Sequence, residues 1–247
     1  MEAVIFYGVP SGCSLASVIA SEWLGQPYRL VRIEMMEQWP ERFAQVNPRM
    51  KTPAMLTAQG HSLTESLAIL QHIGQRGTAQ GLGFAPGSHD ADRLAAMLSY
   101  LVTDLFAAFA PLWALYDAGV DDPVVKGVLR QHGEDNVRKE YAYLDALLAD
   151  REWLLGGDKP TVADAYLFAI GRWAEYHKVF VLEERYPNVA RYMRKLADDP
   201  AVRFALAVEK SAGASGSGNG SCLGHVSLAQ LDLPQAAAKP TPTPLAA

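Results

Sequence analysis

Apolar and polar positions divide the chain into a first part that mixes strands with helices and a second part with helical spacing only. Ala3–Tyr7 is a short apolar run that predicts a buried strand. Ser14–Leu24 carries its large apolar residues at helical spacing, and Gly25 is placed to end the helix. Apolar and basic residues alternate over Tyr28–Ile33, as on a strand with one solvated face. This order predicts a βαβ unit.

The next segment predicts a hairpin followed by a helix. Ala54–Thr57 and Ser62-Leu63 flank a turn around Gly60, which is the pattern of two short paired strands. Thr64-Glu65-Ser66 then opens a segment with helical spacing that continues to Arg76. Residues 1–77 are therefore expected to fold as βαβ followed by ββα, a small mixed sheet covered by helices.

Beyond a Gly-rich linker from Gly77 to Gly87 the strand pattern stops, and we expect an all-helical domain over residues 89–210. Asp92–Asp117 predicts a long helix that Pro111 should kink or divide. Pro123–Ala149 predicts a second long helix. Thr161–Asp164 has the pattern of a capping box, with Asp in place of the usual Glu or Gln, and predicts the start of an apolar helix.

Residues 211–247 differ in composition from the rest of the chain. A Gly/Ser-rich stretch is followed, after a short mixed segment, by a Pro-rich one, which are compositions typical of flexible and extended linkers. Composition alone predicts that this tail is disordered, and a docked appendage is the alternative.

Charge and hydropathy exclude several classes of function. The net charge is −5 and basic residues form no long run, so nucleic acid is not expected as a partner. The longest uncharged apolar stretch, Leu105–Tyr116, is shorter than the ~18 residues of a membrane span and contains Pro111. The first residues carry no basic region before the apolar run, so a secretory signal is not expected and a cytoplasmic protein fits best.

Two cysteines, Cys13 and Cys222, are too few to predict a disulfide framework or a metal cluster. Cys13 is expected at a helix N-terminus, where unpaired N–H groups and the helix dipole favour a thiolate and where Ser11 or Ser14 could cap the helix. A small buried residue after a turn is the alternative. Cys222 is expected to be a free thiol in the tail, and a pairing of Cys222 with Cys13 is a further hypothesis.

Five short motifs occur in the order and at the spacing found in cytosolic glutathione transferases, and they cover roughly residues 3–210. The first resembles the Cys-Ser-Leu signature of the bacterial beta class, the next three its glutathione-site segments, and the last its N-capping box: Pro10–Leu15, Asn47-Pro48, Thr52–Ala54, Leu63–Leu70 and Gly157–Asp164. The resemblance implies a thioredoxin-like N-terminal domain followed by an all-helical C-terminal domain.

The resemblance also implies roles for individual residues. A cis peptide bond before Pro53 would expose the main chain of Thr52 to the cysteinyl part of glutathione. Ser66 and Glu65 would hold the γ-glutamyl part. Cys13 would face the glutathione sulfur, and Ser14 is a second possible donor to the thiolate. Tyr7 is an alternative activating residue, because some classes use an N-terminal tyrosine; a core aromatic is the other interpretation.

One departure from the beta class concerns a His-Lys pair on the first helix of the second domain. Phe106 and Ala107 stand at those positions here. Ser99 and Thr103 remain as possible polar contacts to glutathione. Phe106 and Trp113 are predicted to line the electrophile pocket.

We therefore expect a detoxifying glutathione S-transferase that uses glutathione as co-substrate, conjugates it to small hydrophobic electrophiles, needs no metal and forms a homodimer. Two alternatives remain open. One is a glutathione-dependent thiol-disulfide reductase with Cys13 as nucleophile, and the other is a non-catalytic glutathione-fold binding protein.

Overall fold

The computed structural model describes residues 2–10, 12–117, 119–211 and 221–233. Strands and helices follow one another as β1 Ala3–Val9, α1 Leu15–Leu24, β2 Tyr28–Glu34, β3 Ala54–Leu56, β4 Ser62–Thr64, α2 Ser66–Arg76, α3 His89–Tyr100, α4 Ala110–Asp117, α5 Pro123–Leu147, α6 Val162–Gly171, α7 Trp173–Tyr176, α8 Leu182–Arg185, α9 Pro187–Ala197, α10 Pro200–Lys210 and β5 Cys222–His225.

The sheet has the strand order β4-β3-β1-β2-β5. β1 runs parallel to β2 and antiparallel to β3, and β3 pairs antiparallel with β4. Side chains alternate across β1, so that Ile5 and Tyr7 face the helices while Val4 and Phe6 face the opposite layer. The predicted βαβ-ββα order is thus present, with one additional strand at the edge.

Helix α1 is enclosed on several sides. It packs against α2 within the first domain and against α6 and α10 of the second. This explains why nearly every residue from Leu15 to Leu24 is buried, the polar residues Ser17, Ser21 and Glu22 included. Gly25 ends α1 in the left-handed conformation, with φ of 71°, as predicted.

The predicted capping box at the start of α6 is confirmed. Asp164 is fully buried, and its carboxylate accepts hydrogen bonds from Thr161 N–H at 2.7 Å, from Leu154 N–H at 2.9 Å and from the hydroxyl of Tyr192 at 2.6 Å. One side chain thereby joins α6, α9 and the preceding loop.

The predicted helix over residues 92–117 is divided, as Pro111 suggested, but the division precedes the proline. Helix α3 continues into a π-turn at Leu101–Phe106, and α4 begins at Ala110 with a bend of 46°. Pro111 lies in the first turn of α4, where its missing N–H removes no helix bond. Among the described residues no single helix is long and apolar enough to cross a membrane; only this bent pair meets that test, by length and composition.

The Gly-rich linker between the domains is packed rather than loose. Leu82 is buried, and its carbonyl accepts a hydrogen bond from Val162 N–H at 3.1 Å. At Gly83 an added Cβ would lie 2.5 Å from the carbonyl oxygen of Gly74 in α2. The linker therefore crosses α2 at main-chain contact on its way to α6.

The tail forms the fifth strand, so the expectation of disorder is wrong for residues 221–233. β5 pairs in parallel with β2, and Leu228 is buried against the outer layer of the sheet. The guanidinium of Arg42 donates to the carbonyls of Ala229 and Leu231, at 3.0 and 2.7 Å. The rest of the predicted tail disorder, over 212–220 and 234–247, lies outside the described residues.

The hypothesis of a Cys13–Cys222 pairing is wrong. Both thiols are free. Cys222 lies opposite Tyr28 at the start of β2, whereas Cys13 follows the far end of β1. The length of β1, about 20 Å, separates the two ends, whereas a disulfide needs Cα atoms within about 7 Å.

Candidate functional site

A cleft of about 230 Å³ opens beside Cys13 between the two domains; we call it the Cys13 cleft. It is lined by loop, hairpin and helix residues of the first domain and by three residues of the second: Cys13, Asn47, Arg49, Lys51, Thr52, Pro53, Glu65, Ser66, Leu67, Val102, Phe106 and Tyr166.

Asn47 shapes the loop that presents Thr52 to the cleft. Its side chain is buried, donates to the carbonyl of Lys51 at 2.7 Å and accepts from Arg49 N–H at 3.0 Å. The Thr52–Pro53 peptide bond is cis, as the resemblance implied. The carbonyl oxygen of Thr52 lies 4.0 Å from the sulfur of Cys13. Thr52 and Pro53 thus occupy the predicted place.

Glu65 and Ser66 form a corner of the cleft where β4 passes into α2. Glu65 has φ of 71°, a conformation that costs a non-glycine residue about 1–3 kcal/mol and is found mostly at functional sites. Its carboxylate pairs with Arg49 at 3.0 Å. The hydroxyl of Ser66 donates to the sulfur of Cys13 at 3.4 Å. Both predicted residues therefore meet Cys13 in one site.

Burial raises the pKa of the Cys13 thiol, contrary to the expectation from its position before α1. Hydrogen bonds from Ser66 and from the N–H of Ser14 lower this pKa, and the charge of Glu65 raises it. Removal from water outweighs the helix N-terminus here because the thiol lies against protein on most sides. Ser11, the other candidate cap, lies outside the described residues.

The Ser14 hydroxyl is directed away from the cleft, which corrects its predicted role as a donor to the thiolate. It is 1% exposed, accepts from Gly8 N–H at 3.1 Å and donates to the Gly8 carbonyl at 3.4 Å. The side chain ties the start of α1 to the end of β1, and only its main-chain N–H points toward Cys13.

Ser99 and Thr103 are exposed and lie outside the cleft, which corrects their predicted contact with glutathione. Each hydroxyl donates to the carbonyl four residues earlier, at 2.8 and 3.0 Å. Val102 and Phe106 line the cleft instead. The π-turn between α3 and α4 holds an extra residue per turn, so directions expected from α-helical spacing do not apply there.

Phe106 lies in the cleft as predicted, whereas Trp113 lies behind it. The Phe106 ring packs edge-on against Trp173 with 5.1 Å between centroids, and Trp173 in turn packs against Trp113 at 5.2 Å. Trp113 therefore supports the apolar wall from the core rather than lining it. Tyr7 also lies elsewhere: its buried hydroxyl is 2.8 Å from Nε2 of His225 in β5.

His177, in the same aromatic cluster, should make the protein sensitive to acid. The ring is 1% exposed, and neither nitrogen has a hydrogen-bond partner in the described part of the chain. Burial, and then the charge of Arg130, lower its pKa to about 4. Because the unfolded chain protonates near pH 6.5, the free energy of unfolding should fall by about 1.4 kcal/mol per pH unit between pH 6.5 and 4.

Urea denaturation of the parent and of a His177→Phe variant at several pH values checks this prediction. The phenylalanine variant should lose most of the extra slope in this window. Equal slopes in the two proteins would contradict it.

Sequence reasoning missed four cleft residues. Arg49 and Lys51 stand between two quoted motifs, and their charge next to a predicted loop was the available signal. Val102 lies in the π-turn, where the α-helical spacing assumed for this segment gives the wrong direction for its side chain. Tyr166 follows the capping Asp164 by two positions in a helix that the sequence predicted to be buried, and nothing in that pattern pointed to the cleft.

Comparison with known proteins decides the family. Residues 17–79 match the family model for the glutathione S-transferase N-terminal domain, and residues 127–195 match that for the C-terminal domain. Glutathione S-transferase GstA of Escherichia coli O157:H7 is 31% identical over 208 residues, which cover 83% of this chain and 98% of the relative. The chain belongs to the glutathione S-transferase family.

Solved glutathione transferases agree with this assignment. A sphingomonad glutathione S-transferase complexed with glutathione has 33% identity and a TM-score of 0.72, covering 84% of this chain and 98% of its own. A bacterial beta-class enzyme from Sphingomonas chungbukensis has 30% identity and a TM-score of 0.72, covering 83% and 98%. The predicted family and fold class of this glutathione transferase are thereby confirmed.

Proposed function

We propose that this glutathione transferase joins the thiol of reduced glutathione to small hydrophobic electrophiles in the Cys13 cleft. The observation that carries the proposal is the convergence of Thr52, the Glu65-Ser66 corner and Cys13 on one cleft between the domains. These are the elements from which the resemblance builds a glutathione site, and the sphingomonad relative is a complex with glutathione.

Each part of the tripeptide has a matching group in the cleft. The main chain of Thr52 offers an N–H and a C=O that pair with the cysteinyl unit as an added strand would. Ser66 and the free N–H groups at the start of α2 suit the γ-glutamyl carboxylate, and Glu65 suits its ammonium. Arg49 and Lys51 supply positive charge for the carboxylates.

The reaction needs glutathione as a thiolate, whose sulfur forms a bond to the electrophilic carbon while a leaving group departs with the electron pair. Lowering the thiol pKa by one unit corresponds to about 1.4 kcal/mol of preference for the anion. A sulfur that binds beside Cys13 would be within reach of the Ser66 hydroxyl. Val102 and Phe106 form the apolar wall against which the electrophile would pack.

Thiol-disulfide reduction by Cys13 is the second candidate, because its sulfur borders the cleft next to Thr52 and Ser66. A Cys13→Ser variant separates the two. We expect conjugation of chloro-dinitrobenzene to stay within about threefold of the parent, since the attacking sulfur belongs to glutathione, and disulfide reduction to fall by about a hundredfold or more.

Cys222→Ser, at the far end of the sheet, is the matched control and should leave both activities unchanged. A collapse of conjugation together with reduction in Cys13→Ser would favour the reductase. Calorimetry with glutathione tests the non-catalytic alternative: tight glutathione binding without turnover on a broad electrophile panel would contradict the proposed enzyme.

We also propose that the protein is a cytoplasmic homodimer. A monomer mass in sedimentation equilibrium would contradict the homodimer.

A further inference from the structure

Two short segments of the described chain pack on the outer face of the sheet, opposite α1 and α2. One is the connection between β2 and β3, residues 39–50, which contains the 3-10 turn Glu41–Gln45. The other is the described part of the tail, residues 221–233, which we call the docked tail. Phe43 and Val46 of the first segment and Leu228 of the docked tail are buried in one apolar cluster with the sheet. Each segment therefore depends on the other to bury its apolar side chains.

The docked tail has a local structure of its own. After β5 its chain is tied to β2, because Val226 N–H donates to the carbonyl of Leu30 at 2.9 Å. The N–H and the hydroxyl of Ser227 both donate to the side-chain oxygen of Gln230, at 2.9 and 3.0 Å. This capping box begins the short 3-10 turn Leu228–Gln230. The turn gives the carbonyls at its end a defined direction.

Arg42 connects the docked tail to residues 39–50. Its guanidinium donates to the carbonyls of Ala229 and Leu231 at 3.0 and 2.7 Å. Basic side chains are favourable partners for the free carbonyls at the end of a helical turn, and a charged donor strengthens such bonds. Because Arg42 is next to the buried Phe43, one turn is held by a polar and an apolar contact with the docked tail.

The turn that Arg42 and Phe43 form leads directly into the cleft. Asn47 N–H donates to the carbonyl of Phe43 at 2.9 Å, and the Asn47 side chain binds the main chain of Arg49 and Lys51. Arg49 and Lys51 line the Cys13 cleft. A displacement of the turn would therefore displace this side of the cleft.

We propose that the docked tail is a positioning element, which holds residues 39–50 on the sheet and thereby orders the Thr52 side of the Cys13 cleft. It lies beyond residue 195, where the match to the C-terminal family model ends. None of residues 221–233 lines the cleft, so the docked tail acts through residues 39–50. Its effect on glutathione rests on the proposed function: a loop that is ordered only part of the time lowers the apparent affinity by that fraction.

Hydrogen exchange in the full chain without glutathione tests the positioning. Arg42→Ala removes the two bonds to the docked tail, and Leu228→Ala removes its buried side chain. The amides of Val46, Asn47 and Met50 each donate within this segment, and they should exchange about tenfold faster in either variant.

Glutathione binding is the second measurement. The dissociation constant from calorimetry should rise about three- to tenfold in Arg42→Ala and Leu228→Ala. The kcat at saturating glutathione should stay within about twofold of the parent, because the bound tripeptide orders the loop. A substitution that lowered only the global stability would not separate affinity from kcat in this way.

Arg29→Ala is the matched control. Arg29 is also an exposed arginine that donates to a main-chain carbonyl of the docked tail, that of Leu223 at 3.4 Å, but it lies on β2 and not in residues 39–50. The control should leave the exchange of residues 46–50 and the dissociation constant within about twofold of the parent.

Unchanged exchange in Arg42→Ala and Leu228→Ala, or equal acceleration in Arg29→Ala, would overturn the positioning role. Faster exchange with an unchanged dissociation constant would overturn the step from the docked tail to glutathione. A parent protein that binds no glutathione would count against the proposed function alone, because hydrogen exchange reports on the loop without a ligand.

Discussion

Replacing Asp164 with alanine should lower the free energy of unfolding by about 3 to 5 kcal/mol. The substitution leaves four buried donors without their acceptor: the N–H groups of Leu154 and Thr161 and the hydroxyls of Thr161 and Tyr192. Each buried donor that loses its partner costs about 1–3 kcal/mol. The loss falls on the first turn of α6 and on its connections to α9 and to the loop at Leu154.

Urea denaturation of Asp164→Ala, with Asp122→Ala as the matched control, measures the effect. Asp122 also caps a helix, accepting from the N–H groups of Val124 and Val125, but it is exposed. Its removal should cost only about 1 kcal/mol, because water replaces the lost bonds. Similar losses in the free energy of unfolding at the two positions would contradict the prediction that the buried hydrogen bonds of Asp164 stabilise the protein more than the exposed ones of Asp122.

Replacing Gly83 with alanine should cost about 2 to 4 kcal/mol through overpacking. The new methyl group would lie 2.5 Å from the carbonyl oxygen of Gly74 and 2.6 Å from its carbonyl carbon. Both atoms belong to the main chain of α2, which cannot turn aside as a flexible side chain could. The linker would have to move away from α2, which would expose the buried side chain of Leu82.

Thermal unfolding of Gly83→Ala and Gly157→Ala provides the comparison. A Cβ at Gly157 would meet nothing within 4 Å, so the control should change stability by less than about 0.5 kcal/mol. A Gly83 variant as stable as the control would mean that the linker can move away from α2 at little cost.

Local patterns were sufficient for the elements whose signals lie within a few residues. The turn at Gly25, the capping box at Thr161 and the hairpin before α2 depend on neighbours in the chain, and each is present. The places of Thr52, Glu65 and Ser66 in the cleft were predicted by the resemblance of short motifs to glutathione transferases, since a local pattern alone would indicate only a helix start at Glu65-Ser66.

The features of the site that the sequence did not predict depend on contacts between different elements of the fold. The Ser14 hydroxyl is satisfied by Gly8 on β1, and the π-turn changes which residues of the first long helical segment face the cleft. Burial reversed the expected shift of the Cys13 pKa. Tyr166 lines the cleft from α6, a helix that packs against α1, and no spacing within its own helix indicates that position.

The strand β5 has a consequence for how the protein is made. Arg29 on β2 and Leu223 on β5 are hydrogen-bonded neighbours that stand 194 residues apart in the sequence. A ribosome adds about 5–20 residues per second, so β2 waits roughly 10 to 40 seconds for this partner after it has been synthesised. During that interval the edge of β2 is unpaired. Arg29 and Arg32 lie on this strand, and charged side chains on an edge strand disfavour pairing with another nascent chain.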